Sequence, residues 1–164
     1  MRTPRNPKEV QKLTEMAATL NRFISRSADR CRPFFLLINK WKNFEWTECA
    51  EAFQQLKDYL ARPPVMSSPE PDEILFAYIA VASYAVSLVL IRVDNGVQRP
   101  VYYMSKSLHE AEMRYLPLEK AILVVVLGTR KLSHYFQAHT VVVLTQLQLK
   151  TILRSADYTG RIAK

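Results

Sequence analysis

The hydrophobic pattern of this chain changes period once, and the change falls on a stretch that favours neither helix nor strand. Residues 63–72 contain four prolines (Pro63, Pro64, Pro69, Pro71) and two serines (Ser67, Ser68). Each proline lacks a backbone N–H and steers the residue before it away from helix. Ahead of this stretch, apolar residues recur at spacings of three and four; behind it they run in strand-like blocks. The expected organisation is a helical unit at 1–62, a Pro-rich linker at 63–73 and a mixed unit at 74–164, an α+β or α/β fold with helices flanking a sheet.

In the first unit, Asn6 is placed to cap, Pro7 suits the first helical position, and Val10, Leu13, Ala17, Leu20 and Ile24 form one stripe. Ser27 offers a second cap ahead of a shorter apolar helix containing Pro33, Phe34, Leu37 and Ile38. Thr47 opens a third helix, with Phe53, Leu56, Tyr59 and Leu60 on one face, which Pro63 and Pro64 end. Trp41 and Trp46 are expected to anchor these helices. Past the linker, Leu75 to Val93 reads as one long strand, Asp94-Asn95-Gly96 as a hairpin turn, and Gln98 to Met104 as the returning strand, with a weakly signalled third strand after it. Pro117 starts a helix running to about Tyr135, His139 to Thr145 is a β-branched strand, and a short helix is expected from Leu147 to Arg154.

Composition narrows the class. Nearly half of the 164 residues are hydrophobic, and the aromatic residues are spread along the chain, so a folded core is expected. The longest apolar run, Ala121 to Leu127, is far shorter than a membrane span, and charges stand where a signal peptide would be apolar. An intracellular location, cytoplasm or nucleus, is expected; Arg2 and Arg5 suit a mitochondrial presequence, but Glu9 and Glu15 interrupt that pattern. Cys31 and Cys49 read as free, partly buried thiols. His109, His134 and His139 have no metal or triad spacing, Ser83 has no nucleophile-elbow frame, and Gly96, Gly128 and Gly160 form no phosphate loop.

The net charge of +8 is unevenly distributed. Residues 1–42 hold ten Lys/Arg against three Asp/Glu, residues 43–74 two against seven, and residues 75–164 eleven against five. Two basic blocks flanking an acidic one suit either contact with a phosphate backbone or an ordinary solvated surface.

Several stretches then match a known pattern. Asn6-Pro7-Lys8-Glu9-Val10, Leu20-Asn21-Arg22-Phe23-Ile24, Phe44-Glu45-Trp46-Thr47 and Pro63-Pro64-Val65 resemble the end of a gypsy-type reverse transcriptase, its thumb and connection. Arg99-Pro100-Val101-Tyr102-Tyr103-Met104-Ser105-Lys106-Ser107-Leu108, Leu118-Glu119-Lys120 and Val142-Val143-Leu144-Thr145 resemble the RNase H domain of the same LTR retrotransposons, particularly those of plants. The resemblance covers essentially the whole chain. It implies that the polymerase palm would precede Met1, and that the chain stops before the last strand and helix of the domain.

RNase H chemistry uses two divalent metals about 4 Å apart, held by carboxylates. By resemblance, the first aspartate falls in a Thr-Asp-Ala-Ser context, here Ala80-Val81-Ala82-Ser83, so Val81 stands in its place. The glutamate of a Glu-Lys-Glu-Leu pattern is replaced by Ala121, and the aspartate that follows Thr145 by Gln146. A fourth would lie past the C-terminus. Glu119 is two residues from Ala121, roughly 200° around the helix, and is expected to face away.

The resulting expectation is a pseudoenzyme with no catalytic residue, no metal and no cofactor. Replacing clustered like charges with apolar residues leaves the fold intact. With no fifth strand, the edge formed by Thr140, Val141, Val142, Val143, Leu144 and Thr145 invites strand addition, so self-association or capture of a host protein is the expected role, as a domesticated or selfish element product. The alternative is residual binding of an RNA/DNA hybrid without cleavage, with Arg22, Arg26 and Arg30 as contacts.

Overall fold

A computed structural model describes residues 2–39, 45–147 and 149. Helix α1 (Pro7–Thr19) begins as its sequence dictates: the Asn6 side chain accepts the Glu9 N–H at 3.0 Å, and Pro7 sits in the first turn, where an N–H has no partner to lose. A 3-10 turn (Asn21–Phe23) leads to α2 (Ser27–Asn39). Ser27 does not cap α2 from outside. It is the first helical residue, Arg26 makes the turn with φ 51°, and the Ser27 hydroxyl donates to Asn21 Oδ1 at 2.8 Å across the preceding turn. Helix α3 (Thr47–Ala61) stops ahead of the proline pair.

The three helices share a core in which Val10, Ile24, Phe34 and Leu56 are almost wholly buried. Trp46 stacks on Phe34 with ring centroids 6.1 Å apart and meets Phe53 edge-on at 5.5 Å, which is the anchoring role expected of it. Trp41 lies outside the described residues. Cys31 and Cys49 are buried and form no disulfide; burial pushes the Cys31 thiol up to about 11, against the opposing charge of Arg30.

The sheet holds β1 (Leu75–Val81), β2 (Ala85–Asp94), β3 (Val97–Ser107) and β4 (Val141–Leu144) in the order β3-β2-β1-β4. β1, β2 and β3 are antiparallel neighbours, and β4 is parallel to β1. The stretch from Leu75 to Val93, expected as one strand, is therefore two. The chain reverses at Ala82, Ser83 and Tyr84, where the Ala82 N–H donates to the Ala85 carbonyl at 2.9 Å. No glycine or proline marks this turn, and apolar residues continue through it because both strands lie in the core. The second turn is the one its residues announce: Asn95 (φ 49°) and Gly96 (φ 79°) both adopt the left-handed region required between two strands. β3 runs on to Ser107 without the separate third strand.

Helix α5 (Pro117–Lys131) packs across β1 and β2. Gly128 permits that approach, since a Cβ there would stand 2.9 Å from Leu88 Cδ1 in the core. The expected continuation to Tyr135 is broken at Leu132, whose side chain is buried in the sheet core, and a separate α6 (Ser133–Ala138) follows. The expected helix from Leu147 to Arg154 lies almost entirely outside the described residues.

The helical unit covers the other face of the sheet through α2 and the 3-10 turn. The Ala28 N–H donates to Ser105 Oγ at 3.1 Å, and the Arg32 guanidinium lies 3.6 Å over the Tyr84 ring. The Pro-rich segment, expected as a linker, is pinned to the sheet: the Ser67 N–H donates to the Pro100 carbonyl at 2.8 Å, and Arg92 reaches both Glu73 and the Ser68 carbonyl.

A short helix that the sequence did not signal, α4 (Glu110–Met113), is held by Glu112, which accepts from Lys106 Nζ and from the His109 N–H. Burial pushes the Glu112 carboxyl up, but the hydrogen bonds from Lys106 and His109 and their charges outweigh it and hold the group below its ordinary value. A carboxyl lowered on folding stabilises above its unfolded value and loses that contribution as pH falls through the folded one. Acid titration of stability is thus expected to show a component below the usual carboxylate range that Glu112→Gln removes; an unchanged acid limb in the variant would contradict it.

Candidate functional site

β1 and the parallel β4 end side by side, and the N-terminus of α5 approaches the same end of the sheet. Between them lies a cleft of about 900 Å3. Its walls are residues 78–83 from β1 and the turn, Pro117 and Lys120 from α5, and residues 144–147 from the end of β4. The geometry follows from topology. Where a parallel strand joins an antiparallel pair, the two strand ends and the following helix leave a crevice that neither fills.

Of the three degenerate positions, Val81 and Gln146 line the cleft and Ala121 does not. Ala121, on α5, is wholly buried. Lys120 takes the place in the wall instead: it is 6% exposed, and its Nζ donates to the carbonyls of Ser83 at 3.2 Å and Ala82 at 3.4 Å. Glu119 turns back to accept the Leu116 N–H at 2.8 Å, capping the helix, and is not among the residues that line the cleft. No aspartate or glutamate lines the cleft among the described residues, and none of their His, Cys, Asp and Glu side chains gather in groups of three suited to a metal.

Lys120 is the residue that sequence reasoning missed. A signal existed: Lys120, Val124 and Gly128 follow one another at four-residue steps, so the lysine extends the buried stripe of α5.

The strand expected at 139–145 is observed as β4 over Val141–Leu144. β4 is the outer strand, hydrogen-bonded to β1 alone among the described residues, and Val142 is exposed. Each of the three arginines singled out for nucleic-acid contact is engaged with neighbouring residues. Arg22 lies over the rings of Phe23 (4.9 Å) and Tyr102 (5.5 Å), and Arg30 lies 4.6 Å over Tyr59 while donating to the Ser25 carbonyl. Arg26 pairs with Asp29 at 3.1 Å and keeps a largely exposed side chain. The histidines take structural positions, His139 beside the Glu73 carbonyl and His134 against the Tyr135 ring.

The model of the RNase H-like domain found in reverse transcriptase matches residues 46–143, from the entry of α3 into β4. The chain belongs to this family. Relatives of this RNase H-like chain include the retrovirus-related Pol polyprotein from transposon 297 of Drosophila melanogaster, 26% identical over 80% of the chain and 12% of the relative. The transposon Tf2-3 polyprotein of Schizosaccharomyces pombe is 24% identical over 82% of the chain and 10% of its own length. The RNase H-like chain thus spans about a tenth of the relatives it matches.

Solved structures agree on the fold. The foamy viral protease-reverse transcriptase dRH in complex with double-stranded DNA superposes with a TM-score of 0.75 at 17% identity, covering 95% of the RNase H-like chain and 28% of that chain. The same viral protein in complex with an RNA/DNA hybrid gives 0.74 at 16% identity, covering 99% and 23%. Both likenesses extend over nearly the whole chain and concern its fold. No helix among the described residues is long and apolar enough to cross a membrane.

Proposed function

We propose that this RNase H-like chain, derived from a gypsy-type Pol polyprotein, is non-catalytic and acts through protein contacts made by the edge of β4. The carrying observation is the donor set of the cleft, where Val81 and Gln146 face an interior that presents one buried ammonium and no carboxylate among the described residues. Magnesium and manganese take hard oxygen ligands, and an ammonium in the same cleft repels them. The edge of β4 supports this reading: among the described residues no second strand pairs with it, so a row of backbone donors and acceptors stands beside valine side chains.

Light scattering coupled to size exclusion tests the self-association that this edge supports. Wild-type chain at tens of micromolar is expected to exceed the monomer mass, and Val142→Lys, a charge on the exposed side of the edge strand, is expected to return it to monomer. A monodisperse wild-type monomer removes self-association and leaves capture of a host protein as the remaining form of the proposal.

A second reading, residual nucleic-acid binding without cleavage, draws on two observations. The foamy viral neighbours are in complex with double-stranded DNA and with an RNA/DNA hybrid. On α1 and the segment before it, Arg2, Arg5, Lys8 and Lys12 have exposed side chains. Hybrid binding that persists at physiological salt, and that reversing the charges of Arg22, Arg26 and Arg30 abolishes, would favour this reading over the first.

A further inference from the structure

We infer that the cleft at the end of β1 and β4 binds a carboxylate carried on an apolar body, with Lys120 as its direct partner. This rests on the reading above that the cleft has no metal ligands. Lys120 is 6% exposed, and its two hydrogen bonds, 3.2 and 3.4 Å long, go to neutral carbonyls. An ammonium has three donors, and a buried charge without an opposite charge is costly. The nearest acid in sequence, Glu119, is engaged in capping α5. Among the described residues that line the cleft, Lys120 carries the one charge, which favours an anion for the same reason that it disfavours a metal.

The size and lining say which anion. A volume of about 900 Å3 lies in the range of small-molecule sites. Ile79, Val81, Leu144 and Leu147 give it apolar walls suited to an alkyl or aromatic body. One hydroxyl completes the polar part: Thr145 Oγ1 accepts the Leu147 N–H at 3.1 Å and keeps its own proton to donate. Phosphate is the poorer match. Its recognition relies on guanidinium forks or free amides at a helix start. Among the described residues the lining holds no arginine, α5 opens on Pro117, which has no N–H, and the Leu116 N–H is already taken by Glu119. One cation matches one carboxylate.

The test is titration of the full chain, in buffer with a metal chelator, by calorimetry and amide chemical-shift mapping. The probes are benzoate, the neutral isostere benzamide, and inorganic phosphate. Benzoate is expected to saturate with shifts at residues 78–83 and 144–147, and benzamide and phosphate to bind at least about tenfold more weakly. Lys120→Met is expected to weaken benzoate by at least about tenfold. Should that variant fail to fold, Val81→Asp supplies the second arm: it keeps Lys120, puts a carboxylate in the wall, and is expected to exclude benzoate by self-pairing. Benzamide binding as tightly as benzoate, phosphate binding more tightly, no saturable benzoate binding, or benzoate binding unchanged in either folded variant would overturn the inference. Metal-dependent cleavage of a hybrid would sink the non-catalytic reading instead, so the two failures are distinguishable.

Discussion

Incubated with an RNA/DNA hybrid and either magnesium or manganese, the purified chain is expected to release no product above the buffer control. Enzymatic rate enhancements begin at about a millionfold, so the expected effect is the loss of the entire enhancement and not a partial decline. In two-metal hydrolysis one ion lowers the pKa of the attacking water and the other stabilises the leaving oxygen, and carboxylates set both ions in place. Here Val81 and Gln146 stand in the wall, Ala121 is buried, and the Lys120 ammonium donates to the Ser83 carbonyl at the same cleft. The assay needs protein free of host nuclease, and a Lys120→Glu variant prepared in parallel reports any contaminant common to both. Cleavage by the wild-type chain that requires the metal and follows the protein through purification would refute the expectation, as would two manganese ions bound between Val81 and Gln146 in a soaked crystal.

Phe34→Ala is expected to lower the unfolding free energy by about 3–5 kcal/mol, the range for removing a fully buried aromatic ring. Phe34 is completely buried, stacks on Trp46 and lies in α2, the helix that joins the helical core to the sheet. Domains of this size are stable by about 5–15 kcal/mol, so the variant is expected to be unfolded or close to it at physiological temperature. The neighbouring Phe35 is 43% exposed, and Phe35→Ala is expected to cost far less. Urea denaturation followed by tryptophan fluorescence and by far-ultraviolet circular dichroism compares the two. Similar losses in both variants, or a Phe34→Ala loss below about 1 kcal/mol, would show that α2 does not tie the two cores together.

Much of the fold was legible in the residues. Asn6-Pro7 marks the start of α1, Pro63-Pro64 the stop of α3, and Asn95-Gly96 the hairpin between β2 and β3, because each is a local conformational preference needing no distant partner. The turn at Ala82, Ser83 and Tyr84 was not legible. Nothing in its composition opposes a strand, and the reversal depends on β1 pairing back on β2 over six registered residue pairs. α4 likewise depends on Lys106, in β3, reaching Glu112. The candidate site divides the same way: Val81 and Gln146 could be placed by matching a strand end and a strand exit to a family pattern, whereas the arginines at 22 and 30 looked free in sequence and are engaged with aromatic rings in the fold.

The residues alone determined that Val81, Ala121 and Gln146 stand where the resemblance implies carboxylates. They determined the helical and strand segments whose preferences are local. Only the tertiary structure decided that Lys120, next to the position that drew attention, and not Ala121, faces the cleft, and that an unassigned turn forms its floor. The physical reason is range: backbone preference and charge inventory act within a few residues, while the surroundings of a side chain are set by the packing of α5, β1 and β4, elements far apart in sequence.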